Sequence, residues 1–338
     1  MTLTDWLNNC QDYFANHDYR SATRASALSF WRGVVDRACR PLPNYGMNVF
    51  ERDWDVLIIL DACRPDQLEI VADEYDFLPA NVPTIYSVGS SSKPWMQSTF
   101  VPEYRQDVAE TAYISGNGFT KDFLPTDVLA GQTATTAGNI PLVADDFAHF
   151  EAVAYQDGAH DDTLGTIPPR EITARAVEYW RNHRDANRLL LHYMQPHAPY
   201  PSLGGVERLA SDEVGTYAQR WTVWDRLFVG ELSRDAALSA YRDCLRWVLD
   251  DIAVLLENID AEDVVLSADH AELFGEYGMY SHPNVPIPDL RRVPWVEVTA
   301  TDTETLVPEC PPVAIRQLTS GAVSDEQVHS RLADLGYR

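Results

Sequence analysis

Asp269 and His270 stand side by side two residues past the apolar run Val264–Leu266. Where a backbone leaves a sheet, neighbouring side chains can converge on one ion. Mixed carboxylate and imidazole ligands suit zinc or manganese, and carboxylate-rich sets suit magnesium or calcium. Glu272, Glu276 and His282 follow within thirteen residues, in a chain with only nine histidines. A second acid, Asp61, ends the apolar run DVLIILD at 55–61. A charge in that position is costly unless something cationic meets it. A helix N-cap, or an ion pair with Arg64, answers the cost as well as a metal does. Between these two lies LLLHYMQPHAPYPS, 189–202. His192 falls inside its apolar run and reads as a satisfied sheet histidine. His197 sits in a loop restricted by Pro196, Pro199 and Pro201, and is the better candidate for a ligand or a proton donor.

Unbroken apolar runs mark strands buried on both faces of a parallel sheet. They occur at 55–61, 111–115, 188–194, 263–269 and 293–298. Helical periodicity lies between them, clearest at 171–184 and 235–258, where Leu238, Tyr241, Leu245, Val248, Leu249, Ile252 and Leu255 form one face. Alternating strands and helices predict an α/β three-layer sandwich with a central, mainly parallel (mixed) β-sheet flanked by helices. Ligands of such sheets bind beyond the carboxyl ends of the strands, where Asp61, Asp269 and His197 fall. Residues 1–45 predict an amphipathic helical covering segment closed by Pro41 and Pro43, its aromatic stripe packed on the core rather than on a membrane or partner. One α/β domain follows over 46–338. Residues 117–170 read as a long loop-bearing insertion, and 202–234 as another.

The chain of 338 residues has 26 Lys+Arg against 51 Asp+Glu, a formal charge of −25. That excess excludes a nucleic-acid binder working by phosphate neutralisation. Hydrophobic residues at 45% and aromatics at 11% are enough for a folded core. Lys93 and Lys121 are the only lysines. A surface this acidic repels itself in dilute buffer. At roughly 1 M salt the screening length is about 3 Å and the repulsion largely vanishes, which implies a salt-rich cytosol. The composition resembles that of haloarchaeal proteins. Cys10, Cys39, Cys63, Cys244 and Cys310 are odd in number and widely spaced, which indicates neither a disulfide framework nor a thiolate zinc site. The opening MTLTDWLNNCQDYF has no secretory pattern, and no stretch approaches the ~18 apolar residues that span a bilayer, so the expected location is cytoplasmic.

The ordered set DVLIILDACRPD, SVGSSSKPWM, HYMQPHAPY and VVLSADHAELFGEYG with its trailing histidine resembles the alkaline-phosphatase superfamily in its sulfatase-like branch, over about residues 53–300. The resemblance implies in-line attack on a phosphate or sulfate ester by a metal-bound hydroxyl or formylglycine. By position it makes Asp61, Asp269 and His270 metal ligands, with His197 and His282 as further site histidines. The family's nucleophile falls in SVGSSSKPW, where Ser92-Lys93-Pro94 aligns with the CxP of the sulfatase CxPSR motif. Pro94 fits an early helical position, so Ser92, rather than Ser90 or Ser91, meets the unpaired N–H groups and dipole that favour an anion. A Gly-Ser loop with a serine cap is the plainer alternative.

Departures narrow the expectation. Ala62 stands where calcium sulfatases carry a second acid, the CxPSR arginine is absent, and Ala271 replaces the usual glycine. Cys63 in CRPDQ lacks the formylglycine motif, and Gln195 stands where two-metal members often have an acid. The set Asp61, Ser92, Asp269 and His270 is most similar to the single-metal site of phosphoglycerol and phosphoethanolamine transferases.

The expected protein is thus a metal-dependent hydrolase or transferase of phosphate or sulfate esters. A divalent ion (Mn, Zn, Ca or Mg) is its cofactor, and a small anionic ester, sugar- or lipid-linked, is its substrate. Arg64 and Lys93 would neutralise non-bridging oxygens, and His197 or His282 would protonate the leaving group. The alternatives are a non-catalytic metal- or ligand-binding member of the fold and a phosphomutase.

Overall fold

The strand β1 (Val56–Leu60) is buried at all five positions. Its side chains divide with period two: Val56, Ile58 and Leu60 enter one core, and Leu57 and Ile59 the other. A computed structural model describes residues 3–16, 19–39, 44–123, 142–156, 158–184, 186–203 and 222–308.

Around β1 runs a seven-stranded sheet. In chain order its strands are β1, β2 (Thr84–Tyr86), β3 (Thr111–Ser115), β4 (His149–Ala152), β5 (Arg188–Tyr193), β6 (Ala261–Ser267) and β9 (Arg292–Ala300). Their spatial order is β2-β9-β6-β1-β5-β3-β4. The five strands from β6 to β4 are mutually parallel. β9 pairs antiparallel with β6, and β2 antiparallel with β9. β7 (Leu273–Phe274) and β8 (Tyr280–Ser281) form a separate antiparallel ribbon.

One face of the sheet is covered by α3 (Pro65–Val71), α6 (Pro169–Asn182) and α8 (Arg234–Leu256), whose apolar sides share a single cluster with the sheet. The other face packs on α4 (Ser92–Thr99) and α5 (Arg105–Ala109) through Trp95, Met96 and Val108 and the aromatic group Phe100, Tyr113, Phe123, Phe147 and Phe150. The short α7 (Val223–Val229) and α9 (Pro288–Arg291) complete the shell. The architecture is the α/β sandwich that the alternation of runs predicts.

Two expectations change. Residues 117–170 are not one irregular insertion: β4 lies within them and extends the parallel sheet beside β3, and α6 begins at Pro169. Residues 124–141 and 204–221, within the two expected insertions, lie outside the described residues, as do Cys310 and the rest of 309–338. The second change concerns the covering segment. It forms α1 (Leu3–Asn16) and α2 (Tyr19–Cys39), and Leu28 lies against Gly278 while Val35 packs with Leu273, Met279, Val285 and Leu290. The expected core stripe is split, however, because Phe30, Trp31 and Val34 turn outward. No helix among the described residues is long and apolar enough to cross a membrane.

Gly89 is required for position. A Cβ on Gly89 would stand 2.5 Å from the backbone of Trp95, inside the first turns of α4. Gly89→Ala is expected to push α4 outward and cost about 1–3 kcal/mol as an overpacked site, read as a lowered thermal midpoint.

Candidate active site

Four parallel strands end on the same edge, and each delivers polar side chains there. Asp61 follows β1, and its N–H still donates to Tyr193 O at 3.1 Å, which fixes the carboxylate at the strand's exit. Ala62 then turns in the left-handed region at φ 64°, a conformation that a non-glycine residue holds only when its surroundings impose it. Tyr241 of α8 supplies the constraint. Its hydroxyl donates to Ala62 O at 2.9 Å and accepts from Arg64 N at 2.8 Å.

Asp269 and His270 follow β6. Asp269 Oδ1 accepts from Ala62 N at 3.2 Å and His270 N at 2.9 Å, leaving Oδ2 aimed at the same space as Asp61. His270 Nδ1 lies 2.9 Å from Ala271 O. A carbonyl can only accept, so Nδ1 carries the proton and Nε2 presents its lone pair in the neutral ring. That Nε2 is 3.4 Å from Asp61 Oδ1 and 3.3 Å from Asp269 Oδ2.

Ser92 is the first residue of α4 and fully buried. Its hydroxyl donates to Asp61 Oδ2 at 3.3 Å and lies 3.2 Å from His270 Nε2. The loop leading to it is tied down from the sheet side, where Ser87 Oγ donates to Asp269 O and accepts from Gly89 N. The structure therefore brings Asp61, Ser92, Asp269 and His270 into one group.

The carboxylate and imidazole atoms of Asp61, Asp269 and His270 lie within 4.8 Å of one another. Asp61 Oδ1 and Asp269 Oδ2 are buried without a hydrogen-bond partner. Two orphaned carboxylate oxygens facing an imidazole lone pair are a donor set that fits a divalent cation.

A second buried group lies alongside. His197, Glu272 and His282 also offer ligand atoms within 4.8 Å of one another. His282 Nδ1 is 2.9 Å from Glu272 Oε1, and the rings of His270 and His282 are 4.6 Å apart. Glu272 Oε2 is buried with no hydrogen-bond partner. Gln195 is not part of this group, since its amide donates to Ile167 O at 2.8 Å.

Arg64 and Lys93 are drawn elsewhere. The Arg64 guanidinium is shared by Asp66, Glu276 and the backbone carbonyl of Glu272, so it braces the 272–276 segment. Lys93 pairs with Asp122 at 2.7 Å and lies over the ring of Phe119.

His192 was expected to be satisfied within the sheet. Its Nδ1 does meet Tyr113 Oη at 3.0 Å, but Nε2 has no hydrogen-bond partner and stands 3.7 Å from Asp269 Oδ2 and 3.9 Å from Asp61 Oδ2. Asn117, just past β3, donates from Nδ2 to Asp61 Oδ2 at 2.8 Å. Asn117 is absent from the residues expected at the site, although it is the polar side chain that follows the apolar run TAYIS as Asp61 follows its own.

These groups set one another's protonation. Burial alone would lower the His270 pKa, but Asp269 and Asp61 outweigh it and raise it to about 9. Burial would raise Asp269, yet His270 and His192 hold it well below the usual carboxylate range. For Glu272 burial dominates and pushes the carboxyl up to about 8, against the pull of His197 and His270. Burial lowers His197, keeping its ring neutral.

Raised folded-state values for His270 and Glu272 mean that the folded chain holds protons the unfolded chain gives up. Their stabilisation is complete below the ordinary glutamate range. It is lost as pH rises through about 8 and then about 9. Asp269, depressed, acts only at the acid end. The metal-free chain should therefore show a falling thermal midpoint from about pH 5 to 9 in chelator, Glu272→Gln should flatten part of that slope, and added divalent cation should reverse it with release of protons.

No protein-family model and no curated protein matches the chain. Solved structures do. The soluble domain of lipooligosaccharide phosphoethanolamine transferase A from Neisseria meningitidis is 15% identical, over 84% of this chain and 89% of that one, with a TM-score of 0.47. The C-terminal periplasmic domain of EcEptC from Escherichia coli, in complex with Zn, is 13% identical over 87% and 86%, with a TM-score of 0.44. A putative sulfatase from Bacteroides thetaiotaomicron is 10% identical over 84% and 74%, with a TM-score of 0.40. What the site can do is decided by the residues this chain itself places there.

Proposed function

We propose that the chain is a divalent-metal-dependent transferase or hydrolase of phosphate or sulfate esters, with Ser92 as nucleophile. One observation carries this reading: a buried serine hydroxyl at the start of α4 lies within 3.3 Å of both a carboxylate and an imidazole of a cation-fitting group. Asp61, Asp269 and His270 would hold the metal, which supplies Lewis-acid polarisation of the ester and of the serine hydroxyl. Ser92 Oγ gives its proton to Asp61 Oδ2, the acceptor of its hydrogen bond, and forms a bond to phosphorus or sulfur as the bond to the ester oxygen breaks; the departing alcohol takes a proton from His282. Glu272 orients that imidazole through its hydrogen bond with Nδ1. Water or a second alcohol, giving its proton to His282, then attacks the Ser92 ester, and the departing Ser92 oxygen takes its proton back from Asp61. The first N–H groups of α4 face the anion, because Pro94 leaves Ser92 and Lys93 as the amides there.

A two-cation reading is favoured by the second group, in which Glu272 supplies the carboxylate that Gln195 does not. Metal content decides between them: one equivalent per chain supports the single-metal reaction, and two supports the pair. The overall reading is tested by turnover of p-nitrophenyl phosphate and p-nitrophenyl sulfate in concentrated salt with Zn, Mn, Mg or Ca. Bound metal with neither ester consumed, in wild type and Ser92→Ala alike, would leave a non-catalytic metal-binding protein.

A further inference from the structure

β3 supplies no member of the cation-fitting group, yet its exit reaches that group through Asn117, which is fully buried. Asn117 Nδ2 donates to Asp61 Oδ2 at 2.8 Å, closer than the Ser92 hydroxyl that donates to the same oxygen at 3.3 Å. The other end of the amide accepts from Phe119 N at 2.9 Å. A backbone N–H only donates and an ionised carboxylate only accepts, so the amide has one orientation. Its backbone is held as firmly. Asn117 N donates to Ser115 Oγ at 3.1 Å, and Asn117 O accepts from Thr120 N at 3.1 Å and Thr120 Oγ1 at 2.7 Å.

The two acids of the group are divided in the same way by different means. Asp269 Oδ1 is occupied by the N–H groups of Ala62 and His270, and its Oδ2 has no hydrogen-bond partner. Asp61 Oδ2 is occupied by Asn117 and Ser92, while its Oδ1 has no hydrogen-bond partner and faces His270 Nε2 at 3.4 Å. Each carboxylate thus keeps one oxygen for the protein and one for a cation. The Ser92 bond is given up when that hydroxyl reacts, and the Asn117 bond then remains to keep the Asp61 carboxyl group in its plane.

We infer that Asn117 is a positioning residue: it holds Asp61 so that Oδ1 faces the cation while Oδ2 stands ready for the Ser92 proton. It acts through Asp61 rather than on the ester. The inference rests on the reading of Asp61, Ser92, Asp269 and His270 as a catalytic metal site. Without the amide, the carboxylate is free to turn about its Cβ–Cγ bond and to present both oxygens to the cation, which removes the acceptor that Ser92 needs.

Two variants of the full chain test it. Asn117→Ser keeps an oxygen that can accept from Phe119 N, as serine does in such turns, but its side chain is too short to reach Asp61. Asn117→Ala gives up both bonds. Each should lower kcat about 10–100-fold, with KM and the Kd for Co²⁺ within about threefold of wild type, the scale on which outer-shell partners of a metal ligand are felt. The visible absorption spectrum of bound Co²⁺ should change shape in both, because it reports the arrangement of the ligands. Asn117→Ala should have the lower thermal midpoint of the two without a lower kcat. An Asn117→Ser chain with kcat within about threefold of wild type, an unaltered Co²⁺ spectrum, or a kcat that falls in step with the thermal midpoint would each overturn the inference. If wild type consumes no ester, the Ser92 reading fails by itself, and the Co²⁺ spectrum alone decides whether Asn117 sets the Asp61 geometry.

Discussion

Ser92→Ala should lower kcat/KM for an activated phosphate or sulfate ester by at least about 10⁴-fold, the scale on which removal of a covalent nucleophile is felt. The substitution deletes one oxygen from a fully buried position and leaves Asp61, Asp269 and His270 in place. Its cost in stability should stay near 1 kcal/mol, the net worth of a typical hydrogen bond. Kinetics and thermal unfolding on the same preparation separate the two effects. A Ser92→Ala chain that keeps turnover within tenfold of wild type would remove Ser92 from the chemistry.

Asp269→Asn should abolish stabilisation by divalent cation. The asparagine carbonyl can keep both backbone hydrogen bonds that Asp269 Oδ1 accepts, from Ala62 and His270, so the turn survives. What changes is the outward atom, where an amide NH₂ replaces the buried, unpartnered Oδ2. For wild type a cation at 100 times its Kd adds about 2.7 kcal/mol to the folded state, a rise of several degrees in thermal midpoint. The variant should show almost none of that rise and should lose turnover by about 10³-fold or more, because the charge that holds the cation is gone. Equal cation-induced shifts in the two chains would place the metal elsewhere.

Much of this arrangement was legible in the sequence because the central strands are apolar on both faces. Runs such as VLIIL and RLLLHY announce themselves, and the polar residue at each carboxyl end then points to the site. β2 and β4 were not legible: each is short, and β2 is largely exposed, so neither carries a continuous apolar run. His192 shows a different limit. In a strand buried on both sides no alternation tells which face a residue takes, and only the packing of Tyr113 and Trp95 around its ring turns Nε2 toward the carboxylates. Glu272 was visible as part of the Asp269-His270 cluster, but its meeting with His197 and His282 depends on how the β7–β8 ribbon folds back. In α1 and α2 the spacing announces helices. Which half of the stripe is buried is decided by the ribbon beneath Leu28 and Val35, and that contact has no signature in the helix itself.

The central claim is that Ser92 becomes covalently esterified during turnover. It is tested most directly by quenching the protein with substrate and cation in acid and mapping the adduct by peptide mass spectrometry. A phosphoryl or sulfuryl group on the peptide containing Ser92, absent in Ser92→Ala, is the predicted result, and its mass identifies the group transferred. Steady turnover with no adduct on Ser92 under any quench, or an adduct on another residue, would contradict it.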